Sequence, residues 1–226
     1  TETGRTFTDL VTERRMEKAQ DDIIRADAFG SFLISGPAGS GKTTLALHRI
    51  AYLLQSPEHA AHFDPRNILV LVQDSHSKQY FETLLPSLGI VDVAISTFDL
   101  WAFALLGIQN GTYVSHYGDT ERERDLLAAR KYQALKEVVP YSKDHFTVLE
   151  TAYGACIHGE LNVLARQRKE KCFDRIDLTL LLSAKLRTEG IFKVRGRINS
   201  PKVDGTFKTK AANIDLKYTL ILIDEV

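Results

Sequence analysis

GPAGSGKTT, residues 36–44, lies between the apolar run SFLIS (31–35) and the helix-like run LALHRIAYLL (45–54). Gly36, Gly41, Lys42 and Thr43 occupy every fixed position of the pattern G-x-x-x-x-G-K-[ST], the P-loop. Glycines let the backbone curl until successive amides face one point. A helix starting there adds unpaired N–H groups and the positive end of its dipole. Such a point attracts a polyphosphate. Gly36, Pro37, Ala38, Gly39, Ser40, Gly41, Lys42, Thr43 and Thr44 are therefore the expected nucleotide-binding loop. Lys42 is expected against the β and γ phosphates and the Thr43 hydroxyl on magnesium. A bare glycine turn is the alternative, and it requires neither a strand before it nor a helix after it. Both are expected here: a short buried strand at FLIS (32–35) and a helix from Lys42 to Leu54.

The same rhythm continues downstream. NILVLVQ (67–73) reads as a second apolar strand, KQYFETLLPSL (78–88) as a helix, IVDVAIS (90–96) as a third strand and FDLWAFALLG (98–107) as a third short helix. Upstream, DLVTERRMEKAQDDIIRAD (9–27) reads as a charged helix with sparse apolar contacts at Val11, Ala19, Ile23 and Ile24. Strands with little polar alternation, separated by helices, indicate a parallel sheet covered on both faces.

Composition narrows the class. At 226 residues the chain can bury a substantial core, and 44% hydrophobic with 26% charged residues is ordinary for a globular protein. The net charge of zero makes any nucleic-acid surface a local patch rather than a global property. Cys156 and Cys172 stand far apart with no metal-ligand spacing, which suits a reduced, cytoplasmic setting. No apolar run approaches the length of about 18 residues that a membrane span needs, so no membrane partner is expected.

Beyond Gly107 the rhythm changes. Thr120-Glu121-Arg122-Glu123 has the form of a capping box, and Ala128, Tyr132, Leu135 and Val139 follow at helical spacing up to Pro140. Thr147 to Glu150 has the same form, and Asp174 to Asp177 marks a third helix start. TLILID (219–224) then restores the strand signal. The expected fold is α/β: a P-loop parallel sheet flanked by helices, with a mostly helical insertion at residues 109–213 between a first part at 1–108 and a return at 214–226.

That returning strand ends in two carboxylates. Asp224 after an apolar strand is the expected partner for magnesium, and Glu225 is then positioned to orient or deprotonate an attacking water. Lys42, Asp224 and Glu225 form the candidate catalytic set. A strand followed at once by such a pair needs further chain to hold it, so YTLILIDEV (218–226) is expected to continue into a longer protein.

These residues resemble the ATP-binding part of superfamily 1 helicases of the UvrD/Rep type, especially the branch that includes helicase IV and the RNA-polymerase-associated HelD proteins. EKAQDDIIRA (17–26), SGPAGSGKTTLALHRIAYLL (35–54), NILVLVQDSHSKQYFETLLPSLG (67–89), ISTFDLWA (95–102) and YTLILIDEV (218–226) carry the likeness. The resemblance implies a RecA-like domain (1A-like) with a 1B-like insertion, ATP and Mg2+ as ligands, and Gln20 as the reader of the adenine edge. It further implies single-stranded or partially duplex DNA as the track, 3′ to 5′ movement, and a C-terminal RecA-like domain working opposite this one. In the HelD branch, RNA polymerase is the partner instead.

Thr97 and Phe98 match the TF stretch that in this family lies near the single strand, although Phe98 fits a core anchor equally well. VQDSHSK (72–78) stands where the family usually has TFTNKAA, and Asp99 where it has histidine. Ser75 or Ser77 is a candidate strand contact within that altered segment, with a plain solvated loop as the alternative.

One further stretch is basic. FKVRGRINSPKVDGTFKTKAA (192–212) carries Lys193, Arg195, Arg197, Lys202, Lys208 and Lys210 against one acid, Asp204. The alternation in KVRGR is compatible with Lys193, Arg195 and Arg197 lining one face of a strand toward phosphates, or with ordinary surface basicity.

Overall fold

The computed structural model describes residues 18–115, 117–154, 161–201 and 207–224. They form two compact units, one from Thr1–Thr97 with Tyr218–Val226 and the other Phe98–Lys217.

The first unit is built on a parallel sheet. Helix α1 covers residues 18–24, α2 runs Lys42–Gln55, β1 Ile68–Val72, α3 Ser75–Ser87, β2 Ala94–Thr97, and β7 returns at Leu220–Asp224. The strand order is β2-β1-β7, with β1 parallel to both neighbours. Every residue of β1 is buried, which explains its unbroken ILVLV: a central parallel strand presents apolar side chains to both faces. Asp64 caps the turn before β1 by accepting from the Arg66 amide, and the Thr219 amide donates to the Asn67 carbonyl at 2.8 Å. That contact starts β7 alongside β1, and five pairs follow, from Ile68 with Leu220 to Val72 with Asp224. Leu47 and Ile50 of α2, Phe81 and Leu85 of α3, and alternate residues of β1 make the core, against which Leu220 and Leu222 pack.

Two expectations for this unit are corrected. The sheet is not covered on both faces along its whole width, because Ile221 and Ile223 on the second face of β7 are exposed. FLIS is not a buried strand. Residues 31–37 have no regular structure, Phe32 is 48% and Leu33 88% exposed, and among the described residues the sheet holds β2, β1 and β7. A strand exists by the ladder it shares, and this apolar run pairs with none of the three.

In the second unit, α4 (Phe98–Leu106), α5 (Glu121–Ala134), α6 (His145–Tyr153), α7 (Leu161–Glu170) and α8 (Arg175–Glu189) surround a two-residue parallel pairing of β3 (Thr112–Tyr113) with β4 (Cys172–Phe173). Capping boxes open α5 at Thr120/Glu123 and α8 at Asp174/Asp177. The box expected at Thr147 is corrected: Asp144 caps α6 by accepting from the Thr147 amide, so Thr147 sits inside the first turn. The unit is less uniformly helical than expected. An antiparallel hairpin, β5 (Lys193–Pro201) and β6 (Phe207–Asp215), follows α8.

A lysine lies at the centre of this unit. Lys131 is 0% exposed; its Nζ meets Asp174 Oδ2 at 2.6 Å and Asp177 Oδ1 at 2.9 Å. The Tyr153 hydroxyl donates to Asp177 Oδ1 at 2.6 Å and the Gln167 amide to Asp177 Oδ2 at 3.0 Å. Burial and the neighbouring Asp177 push the Asp174 carboxyl above its ordinary range, against the pull of Lys131. Each charge in the cluster has an opposite charge or a hydrogen bond, the condition under which buried ionic groups are tolerated.

Candidate functional site

The turn before α2 has the geometry its glycines predict. Gly39 and Gly41 take φ of 74° and 81°, a left-handed conformation that disfavours other residues. Gly41 is the N-cap of α2 and offers no side-chain cap, and no acid stands in the first turn. The helix N-terminus is thus left with donors and a positive dipole end for an anion. A Cβ at Gly36 would sit 2.8 Å from Ser40 Oγ, so the loop closes tightly where the glycine stands. The Lys42 ammonium folds back and donates to the Pro37 carbonyl at 2.9 Å, spanning the loop.

The parallel pairing of β7 carries Asp224 to the same place. Asp224 pairs with Val72 at the C-terminal end of β1, and the Thr43 hydroxyl donates to its Oδ1 at 3.0 Å and Oδ2 at 3.3 Å. Lys42 and Thr43 open the helix while Asp224 closes the strand, so loop, helix and carboxylate meet on one edge of the sheet. Glu225 lies outside the described residues.

Arg49, one helical turn past Leu45 on α2, has a role that no local signal announced. Its guanidinium is buried and donates to the carbonyls of Ile23, Ile24, Ala26 and Asp27, the first three at 3.0–3.2 Å. The Phe32 ring covers it with the centroid 4.7 Å from Cζ. Burial pulls the group below its ordinary value, with the neighbouring Asp27 opposing. Arg49 therefore ties the end of α1, the helix that carries half-buried Gln20, to the helix that carries Lys42 and Thr43.

The remaining candidates are dispersed. Ser75 is exposed as the first residue of α3, just past the end of β1. Thr97 ends β2 at 7% exposure, with its hydroxyl buried and without a hydrogen-bond partner among the described residues. Phe98 begins α4 and packs 6.2 Å from Trp101, on the core of the second unit. Thr97 does not present its hydroxyl to solvent, and the Phe98 ring is half-buried. Lys193, Arg195 and Arg197 are exposed at alternate positions of β5. Among the described residues no helix is long and apolar enough to cross a membrane.

A glycine-led helix start without a side-chain cap and a strand-end carboxylate thus stand together beside the parallel sheet of an α/β unit. The chain belongs to the UvrD/REP helicase N-terminal domain family, whose sequence model matches residues 16–226. No curated protein matches the chain. Family membership implies ATP-dependent DNA helicase activity, with ATP and Mg2+ as the ligands such helicases generally use. The residues present fit the metal: a hydroxyl and a carboxylate within hydrogen-bond distance of each other are the hard oxygen donors that magnesium accepts.

Proposed function

We propose that this chain supplies the ATP-binding half of a DNA translocase, with the nucleotide phosphates in the turn at Gly36–Thr44. The observation that carries the proposal is the 3.0 Å approach of Thr43 to Asp224, across 181 positions of sequence. The open amides of the loop and the first turn of α2 bind phosphate oxygens, and Lys42 exchanges the Pro37 carbonyl for the β and γ phosphates. Thr43 and Asp224 hold magnesium, which when bound neutralises charge on the β and γ oxygens. Glu225 orients or deprotonates the attacking water. Gln20 offers one acceptor and two donors to the adenine edge, from a helix that Arg49 fixes to α2.

Exposed Ser75 at the start of α3 supports the reading that a phosphate of the DNA strand is held there, at the end of the sheet. Movement from 3′ to 5′ and placement in the helicase IV and HelD branch rest on motif resemblance. The altered segment at 72–78 and Asp99 favour that branch or a diverged relative, and the second reading is an ATPase that remodels or recycles RNA polymerase. Polymerase release without unwinding selects the second reading.

The test is ATP hydrolysis by the intact protein, with and without single-stranded DNA. Lys42→Ala is expected to lower turnover by about 100-fold or more, the loss typical for removal of one preorganised charge-stabilising donor. Unchanged turnover would overturn the assignment.

A further inference from the structure

Arg49 stands seven residues after Lys42 on α2, which places the two on one face of the helix, about 10.5 Å apart along its axis. Its guanidinium donates to the carbonyls of Ile23 and Ile24, the last residues of α1, and to those of Ala26 and Asp27 in the turn that follows. Carbonyls at a helix C-terminus have no partner within the helix, and a cation is favourable there. Arg49 is thus a C-terminal cap for α1, delivered from another helix. Phe32, whose ring centroid is 4.7 Å from the Arg49 Cζ, stands four residues ahead of Gly36. One buried side chain therefore joins the end of α1, the chain entering the glycine turn and the helix leaving it.

Packing holds α1 only lightly. Of its residues from 18 to 24, Gln20, Ile23 and Ile24 are half-buried and the others are exposed. A further contact with α2, the Arg25 guanidinium 5.5 Å from the Tyr52 ring centroid, is made by an exposed side chain and is the weaker for it. Gln20 precedes the first carbonyl that Arg49 holds by three residues, less than one helical turn. Its place relative to Lys42 is therefore set mainly through Arg49.

Base selectivity makes a demand on that placement. Adenine presents a donor at N6 beside an acceptor at N7, and guanine presents two acceptors, O6 and N7. A glutamine amide matches the adenine pair; turned either way toward guanine, its oxygen faces an acceptor and one hydrogen bond is lost. The distinction exists only while both atoms of the amide are held in register with the base. A helix free to shift keeps one bond with either purine and loses the preference. We propose that Arg49 is a positioning residue for base selectivity: by capping α1 from α2 it fixes Gln20 at the distance from the phosphate loop at which ATP is preferred over GTP. This rests on the reading of Gln20 as the adenine contact, and names the residue that makes that contact selective.

The test is steady-state hydrolysis of ATP and of GTP by the intact protein, with the ratio of their kcat/KM values as the readout. Arg49→Lys keeps the charge and loses the planar fork that serves several carbonyls. It is expected to lower the ATP-to-GTP ratio by about 10-fold, within the roughly 5- to 150-fold that one bidentate base contact is worth. The loss lies in KM for ATP rather than in kcat, as for an interaction made equally in the ground and transition states. Phe32→Leu uncovers the guanidinium and leaves its hydrogen bonds; it is expected to lower the same ratio by a smaller factor, and carries the test where Arg49→Lys does not fold. In a Gln20→Ala background neither substitution is expected to change the ratio. A merely structural role for Arg49 lowers both nucleotides together and leaves the ratio where it was. That result, or an equal drop in the ratio with and without Gln20, overturns the proposal. A parental ratio in Gln20→Ala alone overturns the reading of Gln20 and this inference with it, whereas Lys42→Ala, which removes turnover of both nucleotides, tests the phosphate loop separately.

Discussion

The Thr43 hydroxyl and the Asp224 carboxylate lie 3.0 Å apart, joined by the parallel pairing that sets Asp224 beside Val72. A first-turn residue of α2 and the last described residue of β7 therefore share one charge environment. Replacing Asp224 by alanine should leave nucleotide binding without metal nearly intact and abolish its strengthening by magnesium. Turnover in the intact protein should fall by about 100-fold or more. A magnesium titration of nucleotide affinity checks this, and an undiminished magnesium effect in the variant would remove Asp224 from the metal site.

Arg49 donates to four backbone carbonyls between Ile23 and Asp27. Hydrogen bonds to a charged group contribute about 1.5–3 kcal/mol each in favourable cases, and these four share one guanidinium. Arg49→Ala is expected to cost about 2–4 kcal/mol of unfolding free energy in denaturant titration. Arg49→Lys should recover only part of it, because an ammonium cannot reproduce the planar fork. Equal stability of lysine variant and parent would contradict this account.

Lys131 compensates two buried carboxylates, Asp174 and Asp177. Lys131→Met leaves them facing each other without a cation and should destabilise the protein by about 3–5 kcal/mol. Tyr153→Phe removes one donor to Asp177 and should cost less, about 1–3 kcal/mol. Thermal unfolding orders the two variants; a larger loss for the tyrosine change would show that Lys131 is not the centre of the cluster.

His145 supplies a pH dependence. Its Nε2 lies 3.2 Å from both the Leu106 carbonyl and the Tyr141 hydroxyl. Burial depresses its titration below the ordinary 6.5, with Lys185 adding to the depression and the Leu106 carbonyl and Asp144 opposing it. The folded state thus favours the neutral ring, and the unfolded chain binds the proton first as pH falls. This stability is present above pH 6.5 and is lost as pH drops from there through the lowered folded value. His145→Gln should flatten that part of the stability profile by up to about 1.4 kcal/mol per pH unit. Parallel profiles for parent and variant between pH 7 and 5, measured by urea unfolding at roughly constant ionic strength, would exclude the histidine as the cause.

Much of this protein was legible one segment at a time. The glycine turn, the capping boxes at Thr120 and Asp174 and the buried strand at Ile68–Val72 follow from hydrogen bonds and side-chain contacts within a few residues, so short windows contain their causes. KVRGR likewise announced its alternation, since the side-chain period of a strand is local. FLIS misled because an apolar run specifies a wish for burial and not a partner; it met no strand and stayed exposed. Nothing in ERERDLLAARKYQA distinguishes Lys131 from its solvated neighbours, and nothing around Arg49 names the carbonyls it holds. The approach of Asp224 to Thr43 was an expectation from two motifs, and only chain pairing across the intervening unit could bring them to 3.0 Å. Sequence alone determined the glycine turn, the caps at Thr120 and Asp174 and the buried strand at Ile68–Val72, because those rest on neighbours along the chain. Tertiary structure decided which charges are buried, which apolar run is paired and which distant groups meet, because each depends on partners that only folding brings within reach.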